Sequence, residues 1–288
     1  MLYSASNAKL RINGKEILAS SASISLGASL SPQYRIAGES IRNTAVYSPT
    51  NGVGGQLSFS YFITGKDYFK TFITGQGETG NMGEVISGNF GGLNFDSGYL
   101  TSYSANFGPN SSSVANVSIL FFDQLNGVFS PIETQAPSST QILNLKSAII
   151  EGEFASDSGG SVDNFIGGAY NYTSQVRPVY LMGETKPSSV AYGEKVVNMN
   201  FEIDSPTGYL PVSGTSALIK VSLLPEGGTL ISQAVEDFTC SGLIQQRNIA
   251  SSAGDYIKHS INIVQNDTQG SEVDILKIAD SLGQYVNL

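Results

Sequence analysis

The chain of 288 residues is long enough for one large domain or two of ordinary size, either with a sizeable core. Charged residues make up only 14%, whereas Gly, Ser, Thr, Asn, Tyr and Phe are plentiful. This composition is typical of short strands joined by turns, and it fits helical, coiled-coil or disordered chains poorly. The net charge of −9 argues against a protein that grips nucleic acid through its phosphates. All of that charge lies beyond Ser130, where eight Lys and Arg stand against seventeen Asp and Glu.

Neither a membrane span nor a secretory signal is expected. No stretch approaches roughly eighteen uninterrupted apolar residues, and the N-terminus MLYSASNAKL lacks the apolar region of a signal peptide. Cys240 is the only cysteine, which excludes an internal disulfide or a cysteine-based metal cluster. We therefore expect a soluble protein made in the cytoplasm, without cofactors and stabilised by packing or assembly.

The first predicted elements are strands. Residues 9–19 read as a hairpin around Asn13-Gly14, a dipeptide that tolerates the positive φ angles of a tight turn. In residues 23–30 apolar side chains alternate with serines, which predicts a half-buried strand. Pro32 is expected to end or bend that strand.

The clearest strand of the first half covers residues 57–63, LSFSYFI, where apolar and polar residues alternate. Residues 197–203, VNMNFEI, match it at an offset of 140. Each strand therefore has one apolar and one polar face. The polar positions that we single out are Ser58, Ser60, Asn198 and Asn200.

Between and after the strands the sequence predicts less regular segments. Residues 66–74 have apolar side chains at helical spacing behind Asp67, which indicates a short capped helix. Residues 75–92 are predicted as a glycine-rich loop, and residues 124–141 as an exposed linker. Residues 274–284 are predicted as a short terminal helix.

Several of these elements occur twice. Residues 24–39 and 170–184 both alternate up to a proline, carry a tyrosine two residues later and close on Gly-Glu. The final hairpins of the two halves also match, with offsets of 144. Offsets that hold across three elements indicate a duplication. It predicts two tandem domains, residues 1–130 and 131–288. The repeated prolines and tyrosines, which we expect to be packing or interface anchors, are Pro32, Tyr34, Pro178 and Tyr180.

Catalytic and metal chemistry finds little support. The run at 156–160, SDSGG, resembles a serine-protease nucleophile, but the sole histidine, His259, lies downstream of it in a predicted strand. Gly75-x-Gly77-x-x-Gly80 spells a dinucleotide fingerprint without the surrounding strand–helix unit. We interpret His259 as an ordinary surface or interface residue on the outer phase of its strand, Cys240 as a structural thiol and the pair Glu236/Asp237 as part of a solvated face. No catalytic residue is expected.

The stretch INGKEILASSASISLGASLSPQYRIAGE and its tandem copy resemble the tail tube proteins of tailed bacteriophages. The resemblance implies a mainly β fold with two tandem tail-tube-like β-sandwich or barrel domains, each with at most one or two short helices. In that family six such domains close a ring by joining their sheets into an inner barrel, and stacked rings conduct DNA. It implies a structural virion protein located in the tail.

With two domains per chain, the resemblance implies a homotrimeric, pseudo-hexameric ring; a homohexamer with an outer domain is the competing geometry. Ser58, Ser60, Asn198 and Asn200 would line the lumen, although the sequence leaves the phase of those strands open, and residues 75–92 would contact neighbours. Expected partners are the chain itself, other tail proteins (terminator, baseplate or tip, sheath) and DNA passing without tight binding. The alternatives are a baseplate, tube-initiator or tail-tip adaptor of the same fold, and a β-sandwich module that binds carbohydrate or protein.

Overall fold

The computed structural model describes residues 9–27, 30–34, 45–49, 54–74, 85–108, 111–122, 125–130, 145, 147–152, 160–162, 165–182, 187–204, 214, 216–250 and 258–267. Within these residues the chain is mainly β, as predicted. The strands of the first half are β1 (Leu10–Ile12), β2 (Lys15–Ile17), β3 (Ala19–Gly27), β4 (Leu30–Tyr34), β5 (Ala45–Pro49), β6 (Gly54–Phe62), β7 (Ile86–Phe90), β8 (Leu93–Phe107) and β9 (Val114–Phe121). Those of the second half are β10 (Ser147–Gly152), β11 (Gly160–Val162), β12 (Phe165–Val179), β13 (Ser189–Asp204), β14 (Ser216–Leu224), β15 (Glu236–Ala250) and β16 (Lys258–Asp267). Helix α1 covers Lys70–Thr74, and a 3-10 helix covers Ile231–Gln233.

One antiparallel sheet joins the two halves. Its central strands follow the order β3-β6-β9-β8 in the first half and β12-β13-β16-β15 in the second, and β8 pairs directly with β12. The two halves therefore repeat the same pairing order, which is what a duplication would produce. The division into two domains stays a prediction.

The long strands β8 and β15 each belong to two layers. Gly98 of β8 pairs with both β7 and β9, and Leu243 of β15 pairs with both β14 and β16. Strands β7, β1 and β2 extend the sheet from β8, and β14, β10 and β11 extend it from β15. Their apolar side chains join one buried core with those of the central strands. The outer strands thus cover one face of the central sheet.

The predicted hairpin at residues 9–19 is confirmed. Asn13 and Gly14 have φ angles of 47° and 77°, as the predicted turn requires, and β1 pairs with β2 on either side. Helix α1 is shorter than predicted, because Asp67 caps a preceding turn through the amide of Phe69 at 2.9 Å.

Two predicted irregular segments contain regular structure. Residues 75–92 include strand β7, so the prediction of a loop throughout was wrong there. Packing explains the glycine at position 88 of this strand, because a Cβ there would overlap the ring of Phe95. In the predicted linker, Asn126 forms a β-bridge with Asn94, and Phe129 packs on Phe90 with ring centroids 6.1 Å apart. That part of the linker is attached to the first half. The predicted terminal helix, 274–284, lies outside the described residues.

Candidate functional site

The central sheet has one apolar and one polar face, set by the alternation along each strand. In β6, Leu57 and Phe59 are buried, while Ser58 and Ser60 point to the opposite face. Helix α1 and the segment before it cover the apolar face, where Phe69 packs on Phe59 at 5.3 Å between ring centroids. The polar face has no such cover among the described residues.

Short polar side chains run across this face in rows set by strand register. The first row crosses β3, β6, β9, β8 and β12 at Ser23, Ser58, Ser118, Ser102 and Thr173. The second row crosses β6, β9, β8, β12 and β13 at Ser60, Asn116, Ser104, Asn171 and Asn198. We call this surface the hydroxyl face.

The hydroxyl face satisfies much of its polarity internally. Ser21 and Ser60 hydroxyls lie 2.6 Å apart, Gln56 Nε2 donates to Ser118 Oγ at 2.6 Å, and Asn116 Nδ2 donates to Ser104 Oγ at 3.1 Å. A shallow groove of about 550 Å³ runs along these strands, and every residue that lines it is uncharged. The groove therefore offers many weak hydrogen-bonding groups and no fixed charge.

The structure brings together the four positions predicted from the polar alternation. Ser58, Ser60, Asn198 and Asn200 all lie on the hydroxyl face. The register corrects the equivalence between the halves, however. Ser58 pairs with Ser118, and Asn200 pairs with Asn262, which is 144 residues after Ser118. Ser58 thus matches Asn200 at an offset of 142, and the predicted offset of 140 was two residues short.

Sequence reasoning missed most of this face. The missed positions are Ser102, Ser104, Asn116, Ser118 and Asn171. The sequence signal for them is polar alternation in β8, β9 and β12.

The junction between β8 and β12 is closely packed. Their register runs from Ser102 opposite Thr173 to Phe107 opposite Gly168. On the apolar side Tyr103, Tyr170 and Tyr172 are all nearly inaccessible, with exposed fractions of 1%, 3% and 6%. Phe238 of β15 packs over them, with its ring centroid 6.4 Å from that of Tyr103 and 5.2 Å from that of Tyr170.

The two ends of the central sheet are open among the described residues. Strand β3 pairs with β6 on one side only. In β15, residues 244–250 pair with β16 but not with β14, whose ladder ends at Leu243. Large apolar side chains are exposed along both ends, with Leu26 at 46% and Ile249 at 53%. Unpaired strand edges with apolar side chains are sites where another strand can add.

A buried carboxylate lies beside the junction. Asp67 is 6% exposed, and its Oδ1 and Oδ2 accept hydrogen bonds from the hydroxyls of Tyr61 and Tyr103, both at 2.6 Å. Burial raises the pKa of Asp67 above its ordinary value, although the bonds from Tyr103, Tyr61 and the Phe69 amide oppose this shift. Burial, with the charge of Asp67, also raises the pKa of Tyr61 and Tyr103, so both remain hydrogen-bond donors.

This carboxylate is linked to the second half through Glu236. Glu236 Oε2 accepts from the amide of Asp67 at 2.6 Å, and its Oε1 accepts from Lys70 Nζ at 2.6 Å. Lys70 Nζ also donates to the carbonyl of Asp237 and lies 5.3 Å from the ring centroid of Phe238. We call Asp67, Lys70, Glu236 and the Asp237 carbonyl the inter-half cluster. The interpretation of Glu236 as part of a solvated face was wrong, because its side chain is 8% exposed.

The predicted anchors lie in two places: Pro32 and Tyr34 in a separate two-stranded sheet of β4 and β5, and Pro178 and Tyr180 at or just after the end of β12. Pro32 lies within β4 opposite Tyr47, and Pro178 lies within β12 opposite Val190, so neither proline ends its strand. Tyr180 follows β12 and is half-buried. The side chain of Tyr34, in β4, lies outside the described part. The anchor roles of Tyr34 and Tyr180 stay predictions.

The sole histidine and the sole cysteine are both buried. His259 is 6% exposed on the apolar side of β16, opposite Ile203 and Ile249, so the prediction that it lies on the outer phase of its strand was wrong. Cys240 is fully buried, and burial raises the pKa of its thiol to about 12, which disfavours a nucleophilic thiolate. Of the SDSGG run at 156–160, only Gly160 belongs to the described residues.

No family model matches the sequence, and no curated protein is significantly similar to it. None of the described helices is long and apolar enough to cross a membrane.

Proposed function

We propose that the chain is a structural protein that assembles edge to edge into rings, and that stacked rings form the tail tube of a bacteriophage. The observation that carries the proposal is the β8–β12 junction. It joins the last central strand of one half to the first of the other. Among the described residues, the equivalent strands at the two ends of the central sheet, β3 and residues 244–250 of β15, are each paired on one side only. A second copy can extend the sheet by the same pairing.

The β8–β12 pairing within the chain predicts the register of the proposed β15–β3 pairing between chains. Strands β8 and β15 are equivalent at an offset of 144, and β3 and β12 at an offset of 146, by their pairing with neighbouring strands. Ala105 opposite Tyr170 then becomes Ile249 opposite Ile24 of the next chain. In the same way Gln246 faces Gly27 and Ala250 faces Ser23. The half-exposed apolar side chains of both edges are thereby buried.

The same register gives the tilt that the strands would have in a closed sheet. The row of the first half that begins at Ser23 reaches β12 at Thr173. The equivalent row of the second half begins at Ala169 of the same strand, so the register shifts by four residues over four strands. With a rise of about 3.3 Å per residue and strands about 4.8 Å apart, this shift tilts the strands by about 35°, within the range of closed barrels. The geometry supports closure.

Three chains are the preferred ring. Both halves contribute four central strands to one sheet, so each chain supplies two equivalent units. The ring of six units that the resemblance implies then needs three chains. A hexamer with one half outside the ring would need a chain whose halves do not share a sheet, and the β8–β12 ladder speaks against that arrangement.

The hydroxyl face would line the lumen, because the outer strands and α1 cover the opposite face. Uncharged serine and asparagine side chains offer no cations to hold phosphates, so duplex DNA can pass without tight binding. This is the property that a conduit for genome ejection requires.

An adaptor or tube initiator of the same fold is the second candidate, since the same edges would also close a single ring. Negative-stain microscopy of the purified protein distinguishes the two. Long hollow tubes support the tube protein, and isolated rings support the adaptor. Monomers at high protein concentration would count against both and leave the binding-module alternative.

A further inference from the structure

The junction within the chain and the junction proposed between chains differ in one respect. We propose that the inter-half cluster and Phe238 make the internal β8–β12 junction the stronger one, so that assembled rings separate between chains and release single chains with their halves still joined. The part of this inference that concerns neighbouring chains rests on the ring proposed above. The part that concerns the internal junction does not.

The cluster joins segments that are distant in sequence. Asp67 and Lys70 belong to the turn and helix of the first half, and Glu236 begins β15 of the second. Lys70 supplies the cation for the Glu236 carboxylate at 2.6 Å, with their side chains 21% and 8% exposed. Removing the cation would leave the buried Glu236 carboxylate without the countercharge of Lys70, next to the segment that holds the buried carboxylate of Asp67.

Phe238 adds an apolar contact across the same junction. Its side chain is fully buried, and its ring centroid lies 5.1 Å from that of Phe107 in the first half and 5.2 Å from that of Tyr170 in the second. One side chain of the second half thus packs against both strands of the junction.

The junction between chains has no counterpart for these groups in the first half of the incoming chain. Strand β8 has one extra residue between Phe95 and Gly98 that β15 lacks, so the offset before this bulge is 145. Glu236, Asp237 and Phe238 therefore correspond to Gly91, Gly92 and Leu93. None of these residues carries a carboxylate or an aromatic ring.

Local structure explains why the first half cannot supply the cluster. Strands β7 and β8 are joined by a tight turn at Gly91 and Gly92, which have φ angles of 58° and 94°. Asn94 exchanges backbone hydrogen bonds with Asn126 at 2.8 and 2.9 Å, which fixes it to its own half. In the second half, residues 225–235 separate β14 from β15 and bring Glu236 to the junction.

Amide hydrogen exchange of the single chain tests the internal junction, whether or not rings form. We expect Lys70→Met to accelerate exchange in residues 102–107 and 168–173 by about tenfold or more, while amides of the β6–β9 ladder stay as in wild type. Lys66→Met is the matched control, because Lys66 is exposed on the same segment, and it should change neither set. Equal exchange in Lys70→Met and wild type, or equal acceleration of the β6–β9 amides, would overturn the inference.

Assembled rings test the comparison between junctions. In the wild-type ring, amides of residues 246–250 should exchange faster than those of residues 102–107, and native mass spectrometry during dilution should show folded single chains. Equal protection of both segments would refute the difference in strength. If no ring forms under any condition, the proposed function fails, while the single-chain exchange experiment still decides whether the cluster holds the two halves together.

Discussion

Replacing Ile249 by lysine tests the proposed edge pairing where its energy can be calculated. Ile249 is 53% exposed, so a lysine there should cost the single chain little. In the proposed ring it lies opposite Ile24 of the next chain, which is also partly exposed. Burying the exposed half of an isoleucine contributes about 1 kcal/mol, so two isoleucines at each of three junctions contribute about 6 kcal/mol per ring. An unpaired ammonium at each junction adds a desolvation cost.

Sedimentation velocity at matched protein concentrations measures the effect. We expect Ile249→Lys to be monomeric where wild type forms rings, with an unchanged circular dichroism spectrum and Tm. Leu218→Lys is the control, since Leu218 is 49% exposed on β14, away from both open edges. Adding Ile24→Glu to Ile249→Lys should restore assembly through an opposite-charge pair. The proposed edge pairing would be refuted if Ile249→Lys assembled like wild type, or if Leu218→Lys impaired assembly equally.

Three further changes test the surrounding structure. Phe238→Ala should lower the free energy of unfolding by about 3–5 kcal/mol because it empties a fully buried site, and Phe238→Leu should lower it less. Urea denaturation measures both, and equal losses for the two variants would contradict the packing around Phe238. The raised pKa of Asp67 means that its contribution to stability is fully present below pH 3.8, the ordinary pKa, and is lost as pH rises through the folded-state value. Asp67→Asn should remove that pH dependence of Tm, and an unchanged profile would contradict the assignment. Ser60→Lys should give assembled rings a salt-dependent affinity for duplex DNA in fluorescence anisotropy, while Thr239→Lys, exposed on the outer part of β15, should not.

Local patterns predicted the strands well. Asn13-Gly14 encodes its turn through φ angles that few residues tolerate, and the alternation in residues 57–62 encodes both faces of β6. These signals require only neighbouring residues. The candidate lumen positions followed from the same alternation.

The missed features depend on contacts that are distant in sequence. Strand β7 contains Gly88, which lowers strand propensity but admits the ring of Phe95. His259 looked like an outward residue until the register placed it opposite Ile203. The link between Asp67 and Glu236 spans 169 residues, and no local pattern in either segment indicates it.

The mass of the assembled ring tests the central claim most directly. Each chain has a mass of 30.4 kDa and two equivalent units, so a ring of six units, as the resemblance implies, would contain three chains. Native mass spectrometry or mass photometry of isolated rings should therefore give three times the chain mass. A ring of six chains, or a protein that stays monomeric at high concentration, would contradict the account.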